Sequence, residues 1–180
     1  MQEIYISVDI ETDGPIPGPH SMLSFGAAAF REDGHLIGVH SQNLDTLPEA
    51  SMHPETEEFW KKNQAAYDAT RVGTVAPEKA MLDFVRWVAV LPGTPVFVAY
   101  PAGFDFTFMY WYLIKFVGRS PFSFSALDIK SYAMAKLGTK FRHTTKRNMP
   151  KSWFPEKPHT HIALDDAIEQ GELFMNILKA

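Results

Sequence analysis

The sequence predicts an α/β fold on a mixed five-stranded sheet, in which three antiparallel strands are followed by two parallel strands and helices flank the sheet. Three observations support this prediction. Strand-like segments come first and are separated only by turn residues. Helical and strand-like segments then alternate, which is typical of parallel strands. A length of 180 residues predicts a single domain over residues 1–180.

The three opening strands follow from the hydrophobic period and from turn residues. Apolar and polar residues alternate over residues 4–11, which is the period of a strand. Proline and glycine breakers follow, and residues 23–30 are then predicted as the second strand. Asp33-Gly34 is typical of a hairpin turn, so the third strand is predicted over residues 36–44.

The remaining elements are predicted from longer apolar periods and from their breakers. Proline favours the first turn of a helix, and glycine or proline often follows its end. In chain order these elements are helix 55–67, helix 77–90, strand 95–100, helix 103–117, strand 124–129, helix 130–137 and helix 162–178.

The charge is uneven along the chain. The whole chain carries −4, but residues 139–160 (the basic segment) hold six basic residues against one acidic residue. This stretch is long for a loop in a compact domain, so we expect it to be mobile or functional. Phe141, Trp153 and Phe154 interrupt its charges. Contact with phosphates and bases, or simple solvation of a charged loop, are both open interpretations.

Composition excludes several classes of site. The chain has no cysteine, so disulfides, thiolate zinc sites and cysteine nucleophiles are excluded. The N-terminus lacks the features of a signal peptide, and no apolar run is long enough for a membrane span. A cytoplasmic protein is therefore expected.

Four carboxylates occupy positions that point inward, where an ionised carboxylate loses its hydration and is destabilised. Asp9 and Glu11 share one face of the first strand. Asp105 shares a helical face with Met109 and Tyr112, so it points inward. In the last helix, Asp166 borders the packed side.

Asp165, which precedes Asp166 in the last helix, belongs to a polar stripe that should face water. That stripe continues through Glu169, Glu172, Asn176 and Lys179.

Four inward carboxylates that converge would repel one another unless cations lie between them. Oxygen ligands favour hard divalent ions, so Mg²⁺ or Mn²⁺ is expected rather than zinc. His161 stands just before the last helix, from where it could reach the same metals. Its ordinary pKa of about 6.5 suits a general base.

Three segments around these residues resemble the exonuclease motifs of the DEDDh superfamily: VDIET, VAYPAGFD and HIALDDA. That superfamily includes ribonuclease T and oligoribonuclease, and the similarity implies a ribonuclease-H-like fold and a single exonuclease domain. It implies that Asp9, Glu11, Asp105 and Asp166 bind two divalent cations, with His161 as the general base. Glu11 would thus be catalytic as well as a ligand. The implied reaction is hydrolysis of phosphodiesters from the 3′ end to nucleoside 5′-monophosphates.

The resemblance also implies a substrate. Single-stranded RNA 3′ ends, and hence RNA processing, are the leading prediction. The alternatives are an exodeoxyribonuclease and a nucleic-acid-binding module of the same fold without activity. Thr12 and Met22 fall where such enzymes surround the terminal nucleotide, and Arg142 and Lys146 are candidate phosphate contacts. Relatives of this size often form dimers, so a homodimer is expected.

One position departs from the superfamily pattern. Many relatives carry His-Asn where this chain has Tyr100-Pro101, so the hydrogen bonding behind the second motif must differ. Among other candidates, Asp128 is expected to cap the helix that follows it. Trp60, Trp87 and Trp111 are expected in the core rather than as base platforms, although Trp60 could reach substrate or a second subunit.

Overall fold

The computed structural model describes residues 2–155 and 160–180. Its sheet has the strand order β3-β2-β1-β4-β5. The first three strands pair antiparallel, whereas β4 pairs in parallel with both β1 and β5. The predicted mixed sheet is therefore confirmed. Its strands are β1 (Glu3–Thr12), β2 (Met22–Arg31), β3 (Leu36–Asn43), β4 (Thr94–Ala99) and β5 (Leu127–Asp128).

Six α-helices connect or cover these strands within the described part of the chain. No described helix has the length and apolar character that crossing a bilayer requires. The helices are α1 (Pro54–Lys62), α2 (Gln64–Thr70), α3 (Pro77–Ala89), α4 (Ala102–Val117), α5 (Ile129–Leu137) and α6 (Ala163–Lys179).

Two predicted elements differ from the observed ones. The single helix predicted over residues 55–67 is broken at Asn63, whose φ of −124° and ψ of 42° are not helical. Its side-chain amide donates to the Phe59 carbonyl at 2.9 Å and so competes with the helical backbone. The strand predicted over 124–129 contains only Leu127–Asp128, because only these two residues pair with β4.

The two faces of β1 enter different hydrophobic clusters. Ile4, Ile6 and Val8 pack with residues of α3 and α4 on one face. Tyr5 packs on the other face with Phe174 and further residues of α6. Since side chains alternate along a strand, Asp9 and Glu11 belong to the face that α6 covers.

The described part of the basic segment is attached to α6. It forms three short 3₁₀ turns, Phe141–His143, Lys146–Asn148 and Lys151–Trp153. Met149 and Trp153 are buried in the α6-side cluster, and Asn176 of α6 donates to the Trp153 carbonyl at 2.9 Å. Residues 156–159, which also belong to the basic segment, lie outside the described residues.

Candidate active site

Asp9 and Glu11 lie near the end of β1, and an irregularity in the strand pairing follows Glu11. The pairing of β1 with β2 shifts by one residue between Glu11 and Thr12. Glu11 is 9% exposed. The Thr12 hydroxyl is directed toward the backbone, since it donates to the Gly14 carbonyl at 2.9 Å.

Asp105 lies in the first turn of α4 and is tied to β1. Its Oδ1 accepts a hydrogen bond from the Ile10 backbone N–H at 3.2 Å, and the residue is 4% exposed. Asp128 caps the start of α4, because its Oδ2 accepts from the Ala102 N–H at 2.9 Å. Asp128 also accepts from the Ser131 N–H, so its predicted role as a cap of the following helix is confirmed.

Asp166 and His161 come from the start of α6. Asp166 is 2% exposed, and its Oδ1 accepts from the Thr160 N–H at 3.1 Å. His161 adopts a left-handed φ of 56° two residues before the helix begins. Glu11, His161 and Asp166 each offer one ligand atom, and these atoms all lie within 4.8 Å of one another.

The polar stripe predicted on α6 is only partly exposed. Asp165 faces solvent, in agreement with the prediction. The exposure predicted for Glu169 is wrong, because this residue is only 6% exposed. The basic segment covers it, and Lys146 Nζ lies 2.8 Å from Glu169 Oε1.

Burial raises the pKa of three of these carboxyl groups, and neighbouring carboxylates raise it further at two of them, Asp9 and Glu11. Burial raises the pKa of Asp9 well above its ordinary value, and the charges of Asp105, Glu11 and Asp166 raise it further. Burial, with Asp166 and Asp105, raises the pKa of Glu11 to about 8. Burial raises the pKa of Asp105 to about 7, although the Ile10 N–H opposes this shift. This is the electrostatic environment in which divalent cations stabilise ionised carboxylates.

An aromatic pocket of about 370 Å³ adjoins Glu11 and also includes Thr12. Phe59 and Phe104, which are 37% and 38% exposed, belong to its lining. The Phe59 ring also meets the His161 ring edge-to-face, with centroids 5.2 Å apart. Met22 is fully buried and is not among the described residues that line this pocket.

A second pocket of about 340 Å³ lies between the carboxylates and the basic segment. Asp9 and Asp166 line it together with Lys146. Arg142, the other predicted phosphate contact, has an exposed side chain in the first 3₁₀ turn and is not among the described residues that line either pocket.

Sequence reasoning missed several residues around these pockets. Glu169 and Gln170 follow Asp166 at spacings of three and four, which is a signal that they share its helical face. Phe59 adjoins Trp60, which was considered for substrate contact. Trp60 is 3% exposed, as expected for a core residue, but it also lines the aromatic pocket and donates through Nε1 to the Thr12 carbonyl at 2.9 Å. We find no sequence signal for Phe104 beyond its place beside Asp105.

A known exonuclease is similar to this chain over nearly its whole length, although no family model matches. The chain is 34% identical over 183 residues to the 3′–5′ DNA exonuclease Cap18 of Escherichia coli. The match covers 99% of this chain and 93% of that protein.

Solved structures show the same fold. The nuclease domain of 3′hExo, a DEDDh family member bound to rAMP, matches with a TM-score of 0.71 and 10% identity over 99% of this chain and 92% of its own. Pop2p of S. pombe, in a form with bound Mg²⁺ and Mn²⁺, matches with a TM-score of 0.65 and 15% identity over 96% of this chain and 82% of its own. These similarities confirm the ribonuclease-H-like fold.

Proposed function

Because this chain belongs to the DEDDh superfamily of 3′–5′ exonucleases, we propose that it shortens single-stranded DNA from the 3′ end with two divalent cations. The products are nucleoside 5′-monophosphates. One observation carries this proposal: Glu11, His161 and Asp166 have ligand atoms within 4.8 Å of one another. Asp9 and Asp105 belong to the same electrostatic cluster, because the charges of Glu11 and Asp166 raise the pKa of Asp9 and the charge of Asp105 raises the pKa of Glu11.

Asp9, Glu11, Asp105 and Asp166 would hold the cations, either Mg²⁺ or Mn²⁺. The donor set fits these ions, since it consists of carboxylate oxygens whose ionised forms are destabilised by burial and mutual repulsion. Two ions held there would supply activation of the attacking water and stabilisation of the leaving oxygen.

His161 is the general base of this proposal. Its imidazole would take the proton from the attacking water, a role that suits a side chain with an ordinary pKa of about 6.5. The Phe59 ring restricts the orientation of the imidazole through its edge-to-face contact. The left-handed backbone at His161 turns the chain immediately before α6 and so keeps the ring beside Asp166.

The aromatic pocket beside Glu11 suits the 3′-terminal nucleotide. Phe59 and Phe104 present partly exposed rings, and base stacking on aromatic side chains tolerates any sequence. A base held there would leave its 3′-terminal phosphodiester next to the carboxylates. Thr12 lines the same pocket, so it stays in the proposal as a contact to the terminal nucleotide.

DNA replaces the RNA that the sequence led us to expect. The reason is the 34% identity to a protein named as a DNA exonuclease. Discrimination between the sugars depends on contacts to the 2′-hydroxyl of the substrate.

The test is digestion of a 5′-labelled single-stranded DNA oligomer and a matched RNA in Mg²⁺ or Mn²⁺. The wild-type protein is expected to produce a ladder that shortens from the 3′ end of the DNA, and a chelator should abolish it. Asp166→Asn should lose at least about a hundredfold in rate, because a ligand is lost from the metal cluster and even a partner behind such a ligand contributes about 10–100-fold.

Asp165→Asn is the matched control, since it makes the same chemical change one residue away on the exposed side of α6. Equal loss in both variants would contradict the assigned ligand set. Faster shortening of the RNA than of the DNA would restore RNA as the substrate. Binding of both oligomers without cleavage of either would identify the chain as a binding module.

A further inference from the structure

We infer that Lys146, in the described part of the basic segment, binds a substrate phosphate beside the carboxylates, and that Tyr100 and Glu169 position it there. This inference rests on the proposed exonuclease function and deepens it. It assigns Lys146 to the substrate. It also gives a role to Tyr100, which stands where many relatives carry histidine.

The first step is the fixation of Tyr100. Its backbone N–H donates to Gln170 Oε1 at 3.0 Å, and Gln170 Nε2 donates to the Val8 carbonyl at 2.7 Å. One side chain of α6 therefore bridges β1 and the residue that directly follows β4, immediately beside Asp9. Such a bridge satisfies backbone groups that would otherwise be buried without partners, so Tyr100 is held firmly at the edge of the site.

The second step is the attachment of the basic segment to Tyr100. The tyrosine hydroxyl donates to the Thr144 carbonyl at 2.7 Å. Thr144 is fully buried, and its own hydroxyl donates to the Phe141 carbonyl. A phenylalanine at position 100 would keep the ring but lose the bond. The tyrosine hydroxyl thus fixes the segment two residues before Lys146.

The third step is the placement of the Lys146 ammonium group. Nζ lies 2.8 Å and 3.0 Å from the two carboxylate oxygens of Glu169. The Glu169 side chain is 8% exposed, but that of Lys146 is 42% exposed, so the ammonium group is anchored and still accessible. A lysine carries three N–H donors, and Glu169 does not use all of them.

The fourth step is the composition of the pocket. Lys146 lines the same cavity of about 340 Å³ as Asp9 and Asp166. With cations bound to the carboxylates, a phosphodiester in this cavity would lie between these cations and the Lys146 ammonium group. Hydrogen bonds that involve charged groups are stronger than those between neutral groups. Among the described basic residues, Lys146 alone lines this cavity.

The experiment compares Lys146→Ala with Lys136→Ala, a matched change of an exposed lysine on α5 outside the basic segment. The substrate is a single-stranded DNA oligomer, and binding is measured with an oligomer protected by 3′-terminal phosphorothioates. Lys146→Ala should raise KM about tenfold and weaken binding about tenfold. The slope of log Kd against log salt should become shallower by about 0.7, the value for one phosphate contact on a single strand.

Three further variants separate phosphate contact from a structural role. Lys146→Arg should recover most of the binding, because it keeps the charge. Tyr100→Phe should raise KM in the same direction but by less, with kcat nearly unchanged. The double variant Lys146→Ala with Glu169→Gln should remain as weak as Lys146→Ala alone, because a neutral amide in place of the carboxylate cannot restore a lost phosphate contact.

Recovery of wild-type KM in the double variant would overturn the inference, since it would show that Lys146 only neutralises Glu169. An unchanged salt slope, or a Lys146→Ala variant equal to Lys136→Ala, would overturn it as well. With either result the wild-type protein would still cut DNA, so the proposed exonuclease function would stand. A wild-type protein that neither cuts nor binds nucleic acid would refute the proposed function itself, which is a separate result.

Discussion

Gly26 of β2 lies directly against the backbone of Ala163, the first residue of α6. A Cβ atom at Gly26 would overlap the Ala163 carbonyl and the Leu164 Cα. Gly26 is also the strand partner of Asp9 across the antiparallel pair. The absence of a side chain at one position therefore lets α6 approach the sheet where Asp166 must come close to Asp9.

Gly26→Ala should displace the start of α6 and reduce exonuclease activity at least about a hundredfold, because misplacement by about 1 Å can cost that much. The protein should still unfold cooperatively, at a lower Tm. Gly103→Ala is the control, since a Cβ at that position would meet no atom within 4 Å apart from its chain neighbours and the nearby backbone of its own helix. Full activity of Gly26→Ala would show that the close contact does not set the geometry of the site.

Glu11→Gln should stabilise the metal-free protein at alkaline pH. The folded-state pKa of Glu11 is about 8, against an ordinary value of 4.5. A raised folded-state pKa contributes stability that is complete below 4.5 and is lost as the pH rises through 8. The glutamine removes this loss, so the variant and the wild type should differ little at pH 4.5 and by at least about 1 kcal/mol at pH 8.5.

The measurement is the Tm in a chelator at several pH values, where about 1 kcal/mol corresponds to about 2–4 °C for a chain of this size. Glu57→Gln is the matched control, because Glu57 is exposed and pairs only at the surface with Lys61. A stabilisation by Glu11→Gln that does not grow with pH would contradict the prediction. Mg²⁺ or Mn²⁺ should raise the Tm of the wild type more than that of Glu11→Gln.

His161→Ala should lower kcat by about 10²–10⁴, the usual contribution of a general base. The rise in Tm on addition of Mn²⁺ should remain close to that of the wild type, because the four carboxylates would still hold the cations. Activity and thermal unfolding measured on the same preparation check both points. Loss of the Mn²⁺-dependent rise in Tm would instead identify His161 as a metal ligand.

Phe104→Ala should raise KM about 5- to 150-fold, since stacking of one base contributes about 1–3 kcal/mol. Phe59→Ala should raise KM and also lower kcat, because the Phe59 ring contacts His161. Steady-state kinetics on a DNA oligomer separate the two effects. Phe124→Ala removes an equally large ring that is 80% exposed and outside this pocket, so it should leave both constants unchanged.

The order of elements could be predicted because it depends on local patterns. Alternation along β1 and the Asp33-Gly34 turn indicated the antiparallel strands, and both are observed. The break at Asn63 was missed, because a side-chain amide that bonds its own helix has no signature in the hydrophobic period. The exposed position of Asp165 was predicted from the same period that failed for Glu169.

Local sequence patterns are enough to establish which carboxylates point inward, because strand and helix periods set which side of an element each residue faces. The order of the three motifs around Asp9, Asp105 and Asp166 is likewise a property of the sequence. The attachment of the basic segment to Tyr100, and the position of Lys146 beside Glu169, emerge only in the folded chain. These contacts join residues 23 to 44 positions apart, and such distances are set by how elements pack rather than by any local pattern.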